Sequence, residues 1–310
     1  STVGICSLLL SACTTIAPET TPVAEAPAGN LVESPAHTVV LLTTADPDIR
    51  QGYLDGAQGQ IHYWEAGEGA PLLLIHQASG SCEEFAGLVP YMAETNRLIC
   101  YDWPGHGMSD DPTRELLADD YTQAAVKVLD HLGLETASIL GNHGGALVAM
   151  NLGWKHPERV DKIILAGTSG VKDMEAVQEF SDNLGLIEMN RIDREGKSLS
   201  DAWDRFTNYM PESEPGEVMR AYLNNVTVRV RPYDAHYGIL RFDRRPALLA
   251  IADKEILLMQ AIDDPFVSDQ EMLLDILPNA QRHVIDAGLF AFVENPGAHA
   301  EKILPFLNAE

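Results

Sequence analysis

The sequence predicts an α/β fold: a mostly parallel, doubly wound sheet with a helical lid inserted late in the chain. Three observations predict it. Short apolar runs alternate with longer stretches of helical periodicity, the pattern of strands buried on both faces and covered by helices. One such run leads through a glycine-bracketed turn directly into a helix, at 137–154. A polar-rich segment punctuated by Pro211, Pro215 and Pro232 then interrupts the alternation before strands resume.

The chain divides accordingly. Residues 1–13 read as the apolar part of an export signal, because Leu8 to Ala12 is apolar and small before Cys13. No initiator Met or basic leading residue stands before it, so the gene product is expected to extend further. Residues 14–37 carry Pro18, Pro22, Pro27 and Pro35 among Thr, Ala and Glu, too little apolar surface to fold, and are expected to form an extended tether. The core is expected over 38–170 and 241–310, with the lid over 171–240. No apolar run reaches the eighteen or so residues of a membrane-spanning helix.

Within the core, Gly52–Asp55 and Gly59–Glu65 are predicted to pair as a hairpin. Pro71–Ile75, Arg97–Tyr101, Ala137–Leu140, Val160–Ala166, Glu255–Ala261 and Gln281–Ile285 read as buried strands. Helices are predicted at Glu83–Ala93, at Asp119–Leu132 ended by Gly133, from the glycine turn to Trp154, at Gln270–Leu277 and at Ala298–Leu307. In the lid, Met174–Met189, Leu199–Met210 and Glu217–Val230 are amphipathic.

Composition narrows the partners. With 46 acidic residues against 21 Lys and Arg the net charge is −25, which argues against nucleic acid and against anionic membrane surfaces. Four cysteines are too few for a disulfide framework, although Cys82 and Cys100 are able to pair in an oxidising compartment if their backbones come within reach. No His-x-x-x-His or paired-carboxylate spacing supports a metal at His76, His106 and His143, and no cofactor is expected.

The stretch with most chemical content is Gly141-Asn142-His143-Gly144-Gly145. Strand, sharp turn and helix form the setting of a nucleophile elbow, in which Gly141 and Gly145 lack the bulk that would keep strand and helix apart. The displayed residue is His143, where an esterase carries Ser. Other stretches point the same way: Leu74-Ile75-His76-Gln77, Asp102-Trp103-Pro104-Gly105-His106-Gly107, His156-Pro157-Glu158-Arg159, Asp263-Asp264-Pro265, and Asp286-Ala287-Gly288-Leu289. From about Gly52 to Leu307 the order resembles the α/β-hydrolase superfamily, specifically its lidded microbial members. Leu10-Ser11-Ala12-Cys13 resembles the bacterial lipobox, which implies lipidation of Cys13 and a periplasm-facing anchor.

The resemblance implies an acid at Asp264 and oxyanion donors from the backbone N–H groups of Ala78 and Gly144. It also places the family's catalytic His at Leu289, which cannot exchange a proton. Elbow and His position therefore depart together. Losing the family's imidazole at Leu289 leaves space beside Asp264, and His143 is long enough to reach into it. The expectation is a His143–Asp264 general-base dyad acting on a small, mostly apolar carbonyl or ester-like substrate. Gln77, where the family has Gly, either faces the pocket or packs; His76 and His106 are expected to shape loops. Asn225-Val226-Thr227 matches a glycosylation sequon that carries no weight in a bacterial-looking chain. Two other readings stay open: a cofactor-free lyase using the same base and oxyanion donors, and an inactive ligand-binding lipoprotein.

Overall fold

A computed structural model describes residues 49–170, 193–229, 233 and 235–309. The predicted signal, the tether and the first lid stretch, Met174–Met189, lie outside the described residues. Eight strands form one sheet: β1 (Ile49–Gly56), β2 (Gly59–Ala66), β3 (Ala70–Ile75), β4 (Asn96–Tyr101), β5 (Ala137–Asn142), β6 (Val160–Ala166), β7 (Ile256–Ala261) and β8 (Gln281–Ile285). Their spatial order is β1-β2-β4-β3-β5-β6-β7-β8. The β1–β2 hairpin is antiparallel and joins β4 antiparallel; every pairing from β4 through β8 is parallel.

The strands are apolar on both faces because both are covered. Leu73, Ile75, Ile99, Ile139, Ile163 and Leu165 face one way, onto α2 (Ala118–His131) and α3 (Gly144–Lys155). Leu72, Leu74, Leu98, Leu140, Ile164 and Leu257 face the other, onto Phe85, Phe292 and Phe306. Alternate residues of one strand thus feed two separate cores, the period of two that a pleated strand dictates.

The helix expected at Glu83–Ala93 is instead a 3-10 turn, Cys82–Leu88, followed by the single turn α1 (Val89–Met92). Pro90 sits in that first α-turn, where its missing N–H costs nothing. Cys82 opens the 3-10 turn and is disulfide-bonded to Cys100 of β4, with Cα atoms 5.7 Å apart. The pairing left open by the sequence is therefore made.

Between β6 and β7 lie α4 (Lys197–Tyr209), α5 (Pro215–Arg229), α6 (Ala235–Leu240) and α7 (Arg244–Ala250). The last of these was not legible in the sequence; Asp243 caps it by accepting from the Arg245 N–H. Phe206, Met210, Val218 and Ala221 of this insertion bury against Phe290 and Val293 of the core, and the Phe206 and Phe290 rings stack with centroids 4.8 Å apart. Beyond β7 come α8 (Gln270–Ile276), the single turn α9 (Ala291–Glu294) and α10 (Pro296–Leu307).

After β3 the chain crosses to β4 on one side, and after β5 it runs to β6 on the other. The crevice between the carboxyl ends of β3 and β5 is therefore a topological switch point, where open α/β sheets bind ligands. The disulfide anchors the segment that borders this crevice. Replacing Cys82 and Cys100 together by Ser is expected to cost about 3 kcal/mol, the loop-closure value for a bridge of this span. Paired denaturant melts of the two proteins measure it.

Candidate active site

The elbow is built as the glycines require. A Cβ on Gly141 would lie 2.2 Å from the Gly145 carbonyl oxygen, and one on Gly145 would lie 2.0 Å from that of Ile75. Neither position admits a side chain. His143 sits at φ 48°, ψ −111°, the one positive-φ residue other than glycine among those described. Such a conformation costs on the order of 1–3 kcal/mol and persists only where the surroundings enforce it. Here the enforcement is visible: the His143 N–H donates to the Ala166 carbonyl at 2.9 Å, and its own carbonyl accepts from Ala146 N–H at 3.0 Å.

The imidazole of His143 reaches across the end of β6 to the turn after β7. Its Nε2 lies 2.9 Å from Oδ2 of Asp264, with both side chains largely buried. Asp264 is held in turn, since its Oδ1 accepts the Phe266 N–H at 2.7 Å. The Phe266 ring lies 5.7 Å from the imidazole. A carboxylate partner fixes the proton of a neutral imidazole on Nε2 and leaves a lone pair on Nδ1. Nδ1 has no hydrogen-bond partner among the described residues.

Gly167 makes that reach possible, and sequence reasoning missed it. A Cβ at Gly167 would meet Cδ2 and Nε2 of His143 at 2.6 Å, and the glycine itself sits at φ +57°. The ring lies directly over the bare backbone of the neighbouring strand's end. The only signal in the sequence is a glycine closing the strand beside the elbow strand, legible once the β5–β6 register is known.

Ala78 follows β3 and faces the elbow. A Cβ built on Gly144 would lie 3.1 Å from the Ala78 backbone nitrogen. Neither the Ala78 nor the Gly144 N–H is used in a hydrogen bond among the described residues. His106 Nε2 donates to the Ala78 carbonyl at 2.9 Å, which orients that peptide. His76 accepts the Trp103 N–H on Nε2 at 3.1 Å and donates from Nδ1 to the Gln77 carbonyl at 2.7 Å. A ring used this way has to be neutral, and burial together with the nearby His106 pushes its pKa down to about 3. Both histidines bond to the backbone of neighbouring turns.

The remaining predicted residues are placed as follows. Gln77 is buried, and its backbone N–H donates to Oε2 of Glu84 at 3.2 Å. Leu289 packs with the apolar cluster of Phe206, Met210 and Phe290. The loop carrying it is fixed by Glu294, whose carboxylate accepts the N–H groups of Gly288 and Phe290, each at 2.9 Å. Asn225 is buried and its amide donates to the Ser79 carbonyl at 3.5 Å, so the sequon is structural. Among the described residues no group of three His, Cys, Asp or Glu has metal-holding geometry. A cavity with room for about one water-sized sphere adjoins the dyad, lined by Asp264, Gln260, Phe292 and His299 among others.

His62 is the buried histidine whose partner the sequence did not indicate. Its Nδ1 lies 2.8 Å from Asp102 Oδ2, and Asp102 also accepts the N–H groups of Cys82 and Met108. This pair stands on the β2–β4 side, under the disulfide, and braces the same crevice.

Gly167→Ala is expected to displace the His143 ring, because a methyl at 2.6 Å and the positive φ both oppose the native arrangement. A crystal structure of the variant should show the ring-to-Asp264 contact lengthened beyond hydrogen-bond reach, and thermal melts should show a loss of about 1–2 kcal/mol.

Comparison with known proteins places these features. A family model described as the alpha/beta hydrolase fold matches residues 70–296. A 2-hydroxymuconate semialdehyde hydrolase of Pseudomonas sp. (strain CF600) is 32% identical over 156 residues, 47% of this chain and 54% of that protein. A 2-hydroxy-6-oxo-6-phenylhexa-2,4-dienoate hydrolase of Comamonas testosteroni is 34% identical over 116 residues, 36% of this chain and 41% of its own. The chain thus spans about half the length of these curated relatives. Among solved structures, the enol-lactonase of Burkholderia xenovorans LB400 superposes with a TM-score of 0.70 at 18% identity, covering 83% of this chain and all of that one. The elbow, the sheet order and the matched span agree: this chain belongs to the alpha/beta hydrolase fold family.

Proposed function

We propose that the protein is a hydrolase of small, mostly apolar carbonyl or ester-like compounds in which His143 and Asp264 do the work of a three-residue triad. The 2.9 Å contact between His143 Nε2 and Asp264 Oδ2 carries this reading. Asp264 holds the proton on Nε2, so Nδ1 is the nitrogen that accepts one. A water hydrogen-bonded to Nδ1 loses its proton to the ring as its oxygen attacks the carbonyl. Charge then develops on the carbonyl oxygen, where the N–H groups of Ala78 and Gly144 are free to donate. The imidazolium formed beside Asp264 returns its proton to the leaving group as the tetrahedral intermediate collapses. No covalent adduct with the protein is required.

The helical insertion serves as a lid in this account. Phe206 and Met210 bring an apolar surface to Leu289 and Phe290, which favours substrates with a non-polar portion. The relatives' printed activities support hydrolysis of small molecules as the reaction class. An exported, lipid-anchored placement through Cys13 is supported by the Leu10–Cys13 motif and by the Cys82–Cys100 bridge, since disulfides persist in oxidising compartments.

Short-chain nitrophenyl esters assayed with wild type, His143→Ala and Asp264→Asn test the assignment. Both variants should lose roughly 10²- to 10⁴-fold in kcat/KM, the range for a positioned general base. Hydrolysis indifferent to His143→Ala would remove His143 from the chemistry. Absence of turnover in wild type, with ligand-dependent thermal shifts, would make the crevice a binding site.

A further inference from the structure

The turn that carries the Ala78 N–H is held by two different parts of the molecule. The core supplies one set of contacts. Oε2 of Glu84 accepts the Gln77 N–H at 3.2 Å, the Gln77 carbonyl accepts from His76 Nδ1 at 2.7 Å, and the Ala78 carbonyl accepts from His106 Nε2 at 2.9 Å. The helical insertion supplies another, from two neighbouring residues of α5. The side-chain amide of buried Asn225 donates to the Ser79 carbonyl at 3.5 Å, and Ser81 Oγ donates to Oδ1 of Asn224 at 3.0 Å.

The Asn225 contact leads to the oxyanion site through the backbone. The carbonyl it holds belongs to the Ser79–Gly80 peptide, whose N–H donates to the Gln77 carbonyl at 3.0 Å. That carbonyl belongs in turn to the Gln77–Ala78 peptide, whose N–H is the Ala78 donor. Both peptides are trans, so each points its N–H away from its own C=O. Asn225 amide, Ser79–Gly80 peptide and Gln77–Ala78 peptide therefore form a line that ends on the Ala78 N–H. Each donation polarises the next peptide, so a donor at the Asn225 end strengthens the Ala78 N–H as well as fixing its direction. At 3.5 Å the Asn225 contact is a weak tether by itself. The shorter Ser81–Asn224 bond beside it keeps helix and turn in register.

We propose that Asn225 is a positioning residue for the oxyanion hole, and that seating of α5 on residues 79–81 completes that hole. This rests on the hydrolytic reading, in which charge develops opposite the Ala78 N–H. Asn225 touches no reacting atom and acts through the backbone. The helix that carries it also brings Val218 and Ala221 to the apolar cluster around Phe290. One movement of the insertion thus sets both the apolar cover and the oxyanion donor.

Asn225→Ala tests this, since alanine suits a helix interior. Asn225→Leu, closer in volume, gives the same readout if the smaller side chain leaves the helix poorly packed. The substrates are a nitrophenyl ester and the thionoester in which sulfur replaces the carbonyl oxygen. Sulfur accepts hydrogen bonds weakly, so the thionoester takes little from the oxyanion donors. In either variant kcat for the ester should fall about tenfold, less than the roughly 10²- to 10³-fold that follows outright removal of an oxyanion donor, with KM little altered. The thionoester should slow much less, so the ester-to-thionoester ratio falls. A general loss of structure would slow both substrates alike, and an unchanged ratio in a folded variant overturns the proposal. Amide hydrogen exchange provides a readout that needs no turnover. The Gly80 N–H should exchange faster in Asn225→Ala than in wild type. Arg241→Gln, which cuts the ion pair from the insertion to Glu115, should leave it unchanged. Equal Gly80 protection in wild type and folded Asn225 variants also overturns the proposal. Were wild type to hydrolyse neither substrate, the hydrolytic reading would fail, and faster Gly80 exchange would still establish the grip of α5 on the turn.

Discussion

The 2.9 Å approach of the His143 imidazole to the Asp264 carboxylate is the contact on which the arrangement of this crevice depends. It joins the end of β5 to the turn after β7, across β6. Several costs are accepted to make it. The backbone of His143 is held in an unfavourable conformation, β6 is followed by a glycine at positive φ, and an ionisable pair is removed from water. Breaking the contact would leave a buried carboxylate whose one remaining partner among the described residues is the Phe266 N–H. The contact is therefore self-enforcing once the sheet has formed.

Around it, the carboxyl ends of the strands carry buried polar groups, several of which bridge neighbouring turns. His76 bridges the Trp103 and Gln77 backbones, His106 fixes the Ala78 peptide, Asp102 gathers three donors, and Glu84 joins the elbow to the turn before Ala78. The disulfide ties the 3-10 turn to β4, and Asp102, paired with His62, accepts the N–H of Cys82 in that same turn.

Much of this was legible in the sequence, and the reasons are local. The strands announce themselves because burial on both faces forces continuous apolar runs, as at Leu72–Ile75 and Ile163–Ala166. The elbow is legible because only glycine fits at Gly141 and Gly145. The His143–Asp264 contact was expected from ring length, whereas Leu289, expected to leave the space for it, packs with the Phe206 and Phe290 cluster. What escaped was set by tertiary register: Gly167 matters only because β6 pairs with β5 so that its end lies under the His143 ring. Glu84 looked like one more polar residue on a helix face, because its partners are a side chain 58 positions later and a backbone group in a preceding turn. The 3-10 turn itself was read as a helix, since its apolar spacing is shared by both and the disulfide that shapes it is not a local property.

The claim that organises all of this concerns where one proton sits. Nitrogen-15 NMR of the histidine rings, with His143 assigned by substitution, distinguishes the two nitrogens by chemical shift and by coupling to the ring protons. The neutral ring of His143 should carry its proton on Nε2, with Nδ1 showing the shift of an unprotonated acceptor. A neutral ring protonated on Nδ1 would contradict the account, because Asp264 would then face a lone pair and no base would face the crevice.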